Sequence, residues 1–354
     1  MKKIMLVFGT RPDAVKMCPL VLELKKRARF EVKVCLTGQH REMLDSVMDT
    51  FGVSADYDLS VMKEGQSLAD ITSKIIDGMT EVLKNDRPDI LLVHGDTSSA
   101  FAAALSAFYL GIPVGHVEAG LRTYDIESPF PEEFNRRAVS LLSRIDFAPT
   151  ESTRKNLISE GKSPECVFLT GNTVIDALKY TAINEKCDGK TVLFTAHRRE
   201  NIGEPMNNIL SAVKRIAEKY PELKIVYPMH PSPLIRESAE TILGGVKNIE
   251  VCKPLGLKEF HSLLARAVIV MTDSGGVQEE ATALGKPCLV LRDTTERTES
   301  DSLILVGTRE EDIIRSFDKL INDKEYCDSI KNAPNPYGDG RASHRIADII
   351  EQNI

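Results

Sequence analysis

In the first half of the chain, three polar segments each follow an apolar run, and each carries groups that bind anions or move protons. Gly9-Thr10-Arg11-Pro12 closes the first run, with Lys16 a turn beyond it. A tight turn, a helix N-terminus and two cations suit a diphosphate. The same residues also fit an ordinary strand-to-helix turn with solvated basic side chains. His94-Gly95-Asp96-Thr97 and His116-Val117-Glu118-Ala119-Gly120-Leu121-Arg122 then end two successive, strongly apolar strands. Asp96 and Glu118 are thereby expected side by side at one sheet edge, where a rigid scaffold positions loop carboxylates. A single acid after a strand is more commonly a helix N-cap, but two in succession point to a site. His94 and His116 precede the loops and read as internal packing or hydrogen-bonding groups. Ser128 to Arg136 opens a helix, and on local grounds the acids there, Glu132 among them, serve the helix dipole.

The second half repeats the arrangement. Thr195-Ala196-His197-Arg198-Arg199-Glu200-Asn201 sets a histidine beside two arginines after a strand, suited to a phosphate or a proton, though a histidine at such an edge is often structural. Tyr227-Pro228-Met229-His230-Pro231 does the same one strand later. The sharpest local signal is Thr272-Asp273-Ser274-Gly275-Gly276-Val277-Gln278-Glu279-Glu280, an apolar strand, a small-residue turn and a helix. Free N–H groups at its positive end suit the diphosphate of a nucleotide, its glycines permit close approach, and Glu280 one turn on suits ribose hydroxyls. No G-x-G-x-x-G occurs, which counts against a dinucleotide oxidoreductase.

Positioning these segments requires strands that end at a common edge. Short β-branched runs alternate with longer stretches of helical period, the mark of parallel βαβ units. IMLVFG, VKVCLTG, DILLVHG, PVGHVEAG, DFAPT and CVFLTG read as strands of one sheet, and TVLFTAH, KIVYPMH, NIEVCKP, VIVMTDSG, PCLVLRD and LILVGT as strands of another. Between them, AVKMCPLVLELKKR and SLADITSKIIDGMTEVLKN have helical period, the latter with Ser67 as N-cap. The expectation is an α/β protein of two Rossmann-like doubly wound domains facing across a cleft. Residues 1–180 form the first domain, with a helix from about 342 to 354 packing back on it, and residues 181–341 form the second. With 354 residues there is room for two such cores.

Composition narrows the function further. A formal net charge of -7 argues against broad nucleic-acid or anionic-membrane binding. The start, MKKIMLVFGTRPD, reads as a first strand and not a secretory signal, and no segment approaches the ~18 apolar residues of a membrane helix. Seven cysteines form no CxxC pair, so a reducing cytoplasm is expected and no zinc site.

Taken together and in order, GTRPDAVKMCP, HGDT, HVEAGLRT, PFPEEFNR, AHRREN, TDSGGVQEE, RDTTER and NPYGDG resemble the non-hydrolysing UDP-N-acetylglucosamine 2-epimerase family across nearly the whole chain. The resemblance implies the glycosyltransferase-B type of fold, a homodimer, no cofactor, and interconversion of UDP-GlcNAc and UDP-ManNAc for bacterial surface polysaccharides. By motif it implies active-site roles for Arg11, Lys16, Asp96, Glu118 and His197, with Glu132 a further catalytic candidate. It implies diphosphate and ribose contacts for Ser274, Gly275, Gly276 and Glu280, a ligand contact for Arg297, and packing of Phe260 on uracil. Asp13 stands where Glu is common, and Thr298 where Pro is usual. A second, regulatory UDP-GlcNAc pocket would surround Gln39, Glu42, Gly65, Glu132, Arg198 and His230. Glu42 and Gly65 replace the Gln and Arg usual there, so effector binding is expected to be weak.

C2 of a nucleotide sugar has no carbonyl to acidify its proton. If UDP begins to leave, positive charge at C1 acidifies the C2–H, and a placed carboxylate suffices as base. A retaining glycosyltransferase of the same fold and a hydrolysing epimerase releasing ManNAc are the rival enzymes. A non-catalytic nucleotide-sugar sensor is a third class, disfavoured by the acids gathered at strand ends.

Overall fold

Apolar runs of three to seven residues become strands, and the central ones are covered on both faces; Ile90–His94 is buried along its whole length. Such runs suit parallel sheets flanked by helices. The computed structural model describes the chain except residues 39–40, 64, 183–184, 230–231 and 296–298 and the side chains of residues 41–43 and 199. It divides into one unit of Met1–Tyr180 with Tyr337–Ile354, and a second of Thr181–Pro336.

The first unit contains β1 (Lys2–Phe8), β2 (Phe30–Leu36), β3 (Tyr57–Asp58), β4 (Ile90–His94), β5 (Val114–Val117), β6 (Ile145–Ala148) and β7 (Val167–Leu169). They pair in parallel in the order β3-β2-β1-β4-β5-β6-β7. The two-residue β3 carries no apolar alternation and is added only by pairing with Cys35 and Leu36. One face of the sheet packs through Met5, Val7, Leu91 and Val93 onto Ile71, Ile75 and Met79 of the helix Leu68–Asn85 and onto the alanines of the helix Ser98–Tyr109. Ser67 caps the former helix reciprocally with Asp70. Asp176 accepts from the N–H groups of Ala342 and Ser343 at 3.1 and 3.0 Å, so it caps the helix Ala342–Asn353. Farther along that helix, Arg27 pairs with Asp348 at 2.6 Å and Glu351 at 3.0 Å.

The second unit contains β8 (Thr191–Thr195), β9 (Lys224–Pro228), β10 (Ile249–Cys252), β11 (Ile269–Thr272), β12 (Cys288–Val290) and β13 (Leu303–Leu305). Their order is β10-β9-β8-β11-β12-β13, again parallel. Ile209, Leu210, Val213 and Ile216 of the helix Glu204–Lys219 cover one face; Leu263, Leu264, Val277 and Ala281 cover the other. Each unit is thus a doubly wound α/β sheet. The strand order reverses between β1 and β4 in the first and between β8 and β11 in the second, and open α/β sheets bind ligands at such points, beyond the carboxyl ends of the strands. No described helix is long and apolar enough to cross a membrane.

Candidate active site

Because β1, β4 and β5 are neighbours, the loops after them share one edge of the first sheet. The helix Arg11–Lys25 starts immediately after β1, with Thr10 as N-cap accepting from the Asp13 N–H. Lys16 is thereby carried on the second turn, nearly buried, where it pairs with Glu118 Oε2. Asn172, beyond β7, donates to the same oxygen at 2.7 Å. The Glu118 backbone lies at φ +60°, a conformation that non-glycine residues adopt only when their surroundings enforce it and that recurs at functional sites. An ionised carboxylate this buried requires such partners, since removing either would leave charge out of water.

His94, fully buried, completes the cluster. Its Nδ1 is 3.4 Å from Asp13 Oδ1 and its Nε2 is 3.7 Å from Glu118 Oε2. Burial alone would lower its pKa, but attraction to Glu118 and then to Asp13 outweighs that and raises it to about 9. The protonated ring is therefore favoured between Asp13 and Glu118, and Lys16 shares Glu118 with it.

Asp96 pairs with Arg136, and Asn135 holds the Asp96 carbonyl at 2.9 Å. Both partners come from the helix Glu132–Leu142, which Glu132 begins, half-buried. The adjacent Glu133 does something different. Fully buried, it accepts from the Thr123 and Tyr124 N–H groups at 3.1 Å each and pins the loop after β5. His116 is structural, its Nε2 lying 2.8 Å from the Gly95 carbonyl, which steadies the turn bearing Asp96.

In the second unit, β8 and β11 pair with Thr195 beside Thr272, so the His197 loop lies next to the Asp273 turn. Asp273 is fully buried, and its Oδ2 accepts from the His197 and Arg198 N–H groups at 2.8 Å each and from Asn201 Nδ2 at 3.0 Å. Ser274 is the N-cap of the helix Gly275–Ala283, but its side chain makes no capping hydrogen bond. A methyl group added at Gly276 would meet nothing within 4 Å, so the first turn of this helix is open on that side. Backbone donors, the helix dipole and a hydroxyl then converge as an anion site requires. Glu280 lies 3.3 Å from Nε2 of His261, itself fully buried and bonded through Nδ1 to Thr181. Phe260, half-buried, packs at the margin of the Leu263–Val277 cluster.

Residues 22–351 match a family model described as UDP-N-acetylglucosamine 2-epimerase. The UDP-N-acetylglucosamine 2-epimerase of Bacillus subtilis is 48% identical over 98% of this chain and 94% of its own length, and that of Neisseria meningitidis serogroup A is 48% identical over 99% and 100%. The chain belongs to the UDP-N-acetylglucosamine 2-epimerase family. Solved structures agree. The N. meningitidis enzyme bound to UDP-GlcNAc superposes with a TM-score of 0.94 at 48% identity, covering 99% of this chain and 100% of that one. The Methanocaldococcus jannaschii enzyme in complex with UDP-GlcNAc and UDP gives 0.86 at 33% identity, with the same coverage.

Against this 2-epimerase background, the first unit gathers Lys16, Glu118 and Asp96 at one edge, with Arg11 opening the helix that carries Lys16. The second places His197, Ser274, Gly275, Gly276 and Glu280 on neighbouring loops of its own sheet. Arg297, Gln39 and His230 lie outside the described residues, as does the Glu42 side chain. Of the remaining regulatory candidates, Gly65 is exposed at φ +77°, a conformation an arginine rarely adopts, and Arg198 contributes its N–H to Asp273. Sequence reasoning undervalued His94 and missed Asn172, Arg136 and Asp273 as partners. Three-residue spacing from Glu133 hinted at Arg136; nothing in the sequence pointed from Asn172 to Glu118, 54 residues away.

Proposed function

We propose that the protein interconverts UDP-GlcNAc and UDP-ManNAc by eliminating and re-adding UDP, with no cofactor. The observation that carries this proposal is the buried cluster that sets Glu118, paired with Lys16 and Asn172, at the same sheet edge as Asp96. As the C1–O bond to UDP breaks, a carboxylate takes the C2 proton and the electrons of the C2–H bond form the C1=C2 double bond of 2-acetamidoglucal. An acid then protonates C2 from the opposite face while a UDP oxygen rejoins C1. Asp96, Glu118 and Glu132 are the groups for proton transfer. Arg11 and His197 stabilise the departing diphosphate. The Ser274 turn holds the phosphates, Glu280 the ribose and Phe260 the uracil, and Lys16 pairs with Glu118.

Purified protein given UDP-GlcNAc alone in D2O, followed by NMR, tests this. UDP-ManNAc labelled with deuterium at C2 is expected. Free ManNAc with UDP would indicate the hydrolysing reaction, turnover only with an added sugar acceptor would indicate a transferase, and unlabelled UDP-ManNAc would sink the proton transfer.

The assembly we propose is a homodimer formed through the first unit. Phe108, Tyr109 and Leu141 are 55, 70 and 84% exposed on the helices Ser98–Tyr109 and Glu132–Leu142, and apolar groups so placed favour burial against a second copy. Cytoplasmic residence fits the seven free cysteines. Equilibrium sedimentation at micromolar concentration tests the dimer.

A further inference from the structure

The chain returns to the first unit at Tyr337, and Tyr337–Gly340 comes to lie on the loop between β7 and the helix Thr173–Thr181. The approach is close because glycines meet there. A methyl group at Gly171 would lie 3.0 Å from the Tyr337 carbonyl oxygen, and one at Gly338 would lie 3.1 Å from Gly171 Cα. The Tyr337 carbonyl accepts from the Asn172 N–H at 2.7 Å, and Lys179 donates to the Gly340 carbonyl. Arg345 reaches the Thr170 carbonyl at 3.2 Å and Asp339 at 2.8 and 2.9 Å. The backbone of the buried Asn172 is thereby fixed between two distant parts of the sequence.

The helix that follows then orients its side chain. Oδ1 accepts from the Val174 N–H at 3.0 Å, the bond an asparagine makes at a helix start. That bond decides which end of the amide is which: the other end is the NH2, and it donates to Glu118 Oε2 at 2.7 Å. Lys16, from the helix after β1, meets the same oxygen. Capping alone needs only an acceptor, and serine, aspartate and asparagine supply one about equally well. Of the three, only asparagine also carries an NH2.

We infer that Asn172 is a positioning residue for Glu118, holding its carboxyl group where the C2 proton is transferred. The inference rests on the assignment of Glu118 to proton transfer for its effect on turnover; the contact itself does not.

Selective 15N-asparagine labelling of the full chain tests the contact, with the Asn172 side-chain signal assigned by its loss in Asn172→Ser. One of the two Nδ2 protons is expected well downfield of the other, as donation to a carboxylate requires, and back near the ordinary position in Glu118→Ala. Asn172→Ser keeps a capping oxygen and removes the NH2. It should lower kcat about 10²-fold per folded molecule, with KM for the UDP-sugar changed less than about threefold, because a small misplacement of a reacting group slows the reaction more than it weakens binding. The same change made in Glu118→Ala should cause no further loss, since Asn172 acts through that carboxylate. An ordinary Asn172 amide signal in the wild type overturns the inference, and that measurement stands even if a variant fails to fold. Full turnover in folded Asn172→Ser overturns it too, as does an equal further loss in the Glu118→Ala background. A wild type that does not epimerise, or a Glu118→Ala variant with normal turnover, would instead count against the proposed reaction and leave the amide signal to decide whether Asn172 holds Glu118.

Discussion

The charge on His94 gives the first unit a stability that depends on pH in a direction opposite to acid unfolding of an ordinary carboxylate pair. Burial opposes protonation of the ring, but Glu118 and Asp13 raise its pKa from 6.5 to about 9 in the folded chain. In the unfolded chain it titrates near its ordinary value, about 6.5. Below pH 6.5 both states hold the proton and the stabilisation is complete. Between 6.5 and 9 the unfolded chain has lost the proton while the folded chain keeps it, so stability declines as pH rises; above 9 the contribution is gone. The interval corresponds to about 3 kcal/mol at roughly 1.4 kcal/mol per pH unit. The perturbation is His94→Gln, which keeps a polar side chain and removes the titration. Because the chain has two compact units, the measurement should be hydrogen exchange at the amides of β4, corrected for intrinsic rates, which reports opening of the first unit. The wild-type advantage over the variant should shrink by about 3 kcal/mol from pH 6 to pH 9.5. A difference that stays flat across that range would refute the protonated state of His94 in the folded chain.

Other expectations follow from single residues. Glu118→Gln and Asp96→Asn should each lower kcat by on the order of 10²–10⁴ with much smaller effects on UDP affinity, and near-normal turnover in both would remove them from the mechanism. Gly120→Ala sets a methyl carbon 2.2 Å from the Thr153 carbonyl oxygen at a residue with φ +95°, so thermal unfolding should show a loss of at least ~2 kcal/mol. Asp176→Ala removes the acceptor for the first turn of the helix Ala342–Asn353; limited proteolysis near residues 338–340 should accelerate, with ~1–2 kcal/mol of stability lost. Rates measured against UDP-GlcNAc concentration should be nearly hyperbolic, since Gly65 supplies no cation and Glu42 adds a negative charge; a strongly sigmoidal curve would contradict that.

The linear sequence determined the parallel α/β class and the sheet edge at which its polar loops gather. Strand-length apolar runs ending in Gly9, Gly95 and Gly120, separated by helical periods, leave little choice but βαβ units with polar loops at the carboxyl ends of the strands. Local signals also held where their partners were close in sequence, as with Ser67 and Asp70, three residues apart. Tertiary structure decided which of two similar neighbours does what. Glu132 and Glu133 look alike at a helix start, yet Glu133 is consumed by two backbone N–H groups that come near only when the loop after β5 folds over it. His94 looks like a packing residue until Asp13 and Glu118 arrive from the helix after β1 and the loop after β5. Asp273 looks like an N-cap, and only the pairing of β8 with β11 makes it the hub of the His197 turn. The reason is common to all three. Periodicity reports on burial, which is a property of one segment, whereas the task of a buried polar group is set by partners from about ten to about eighty residues away.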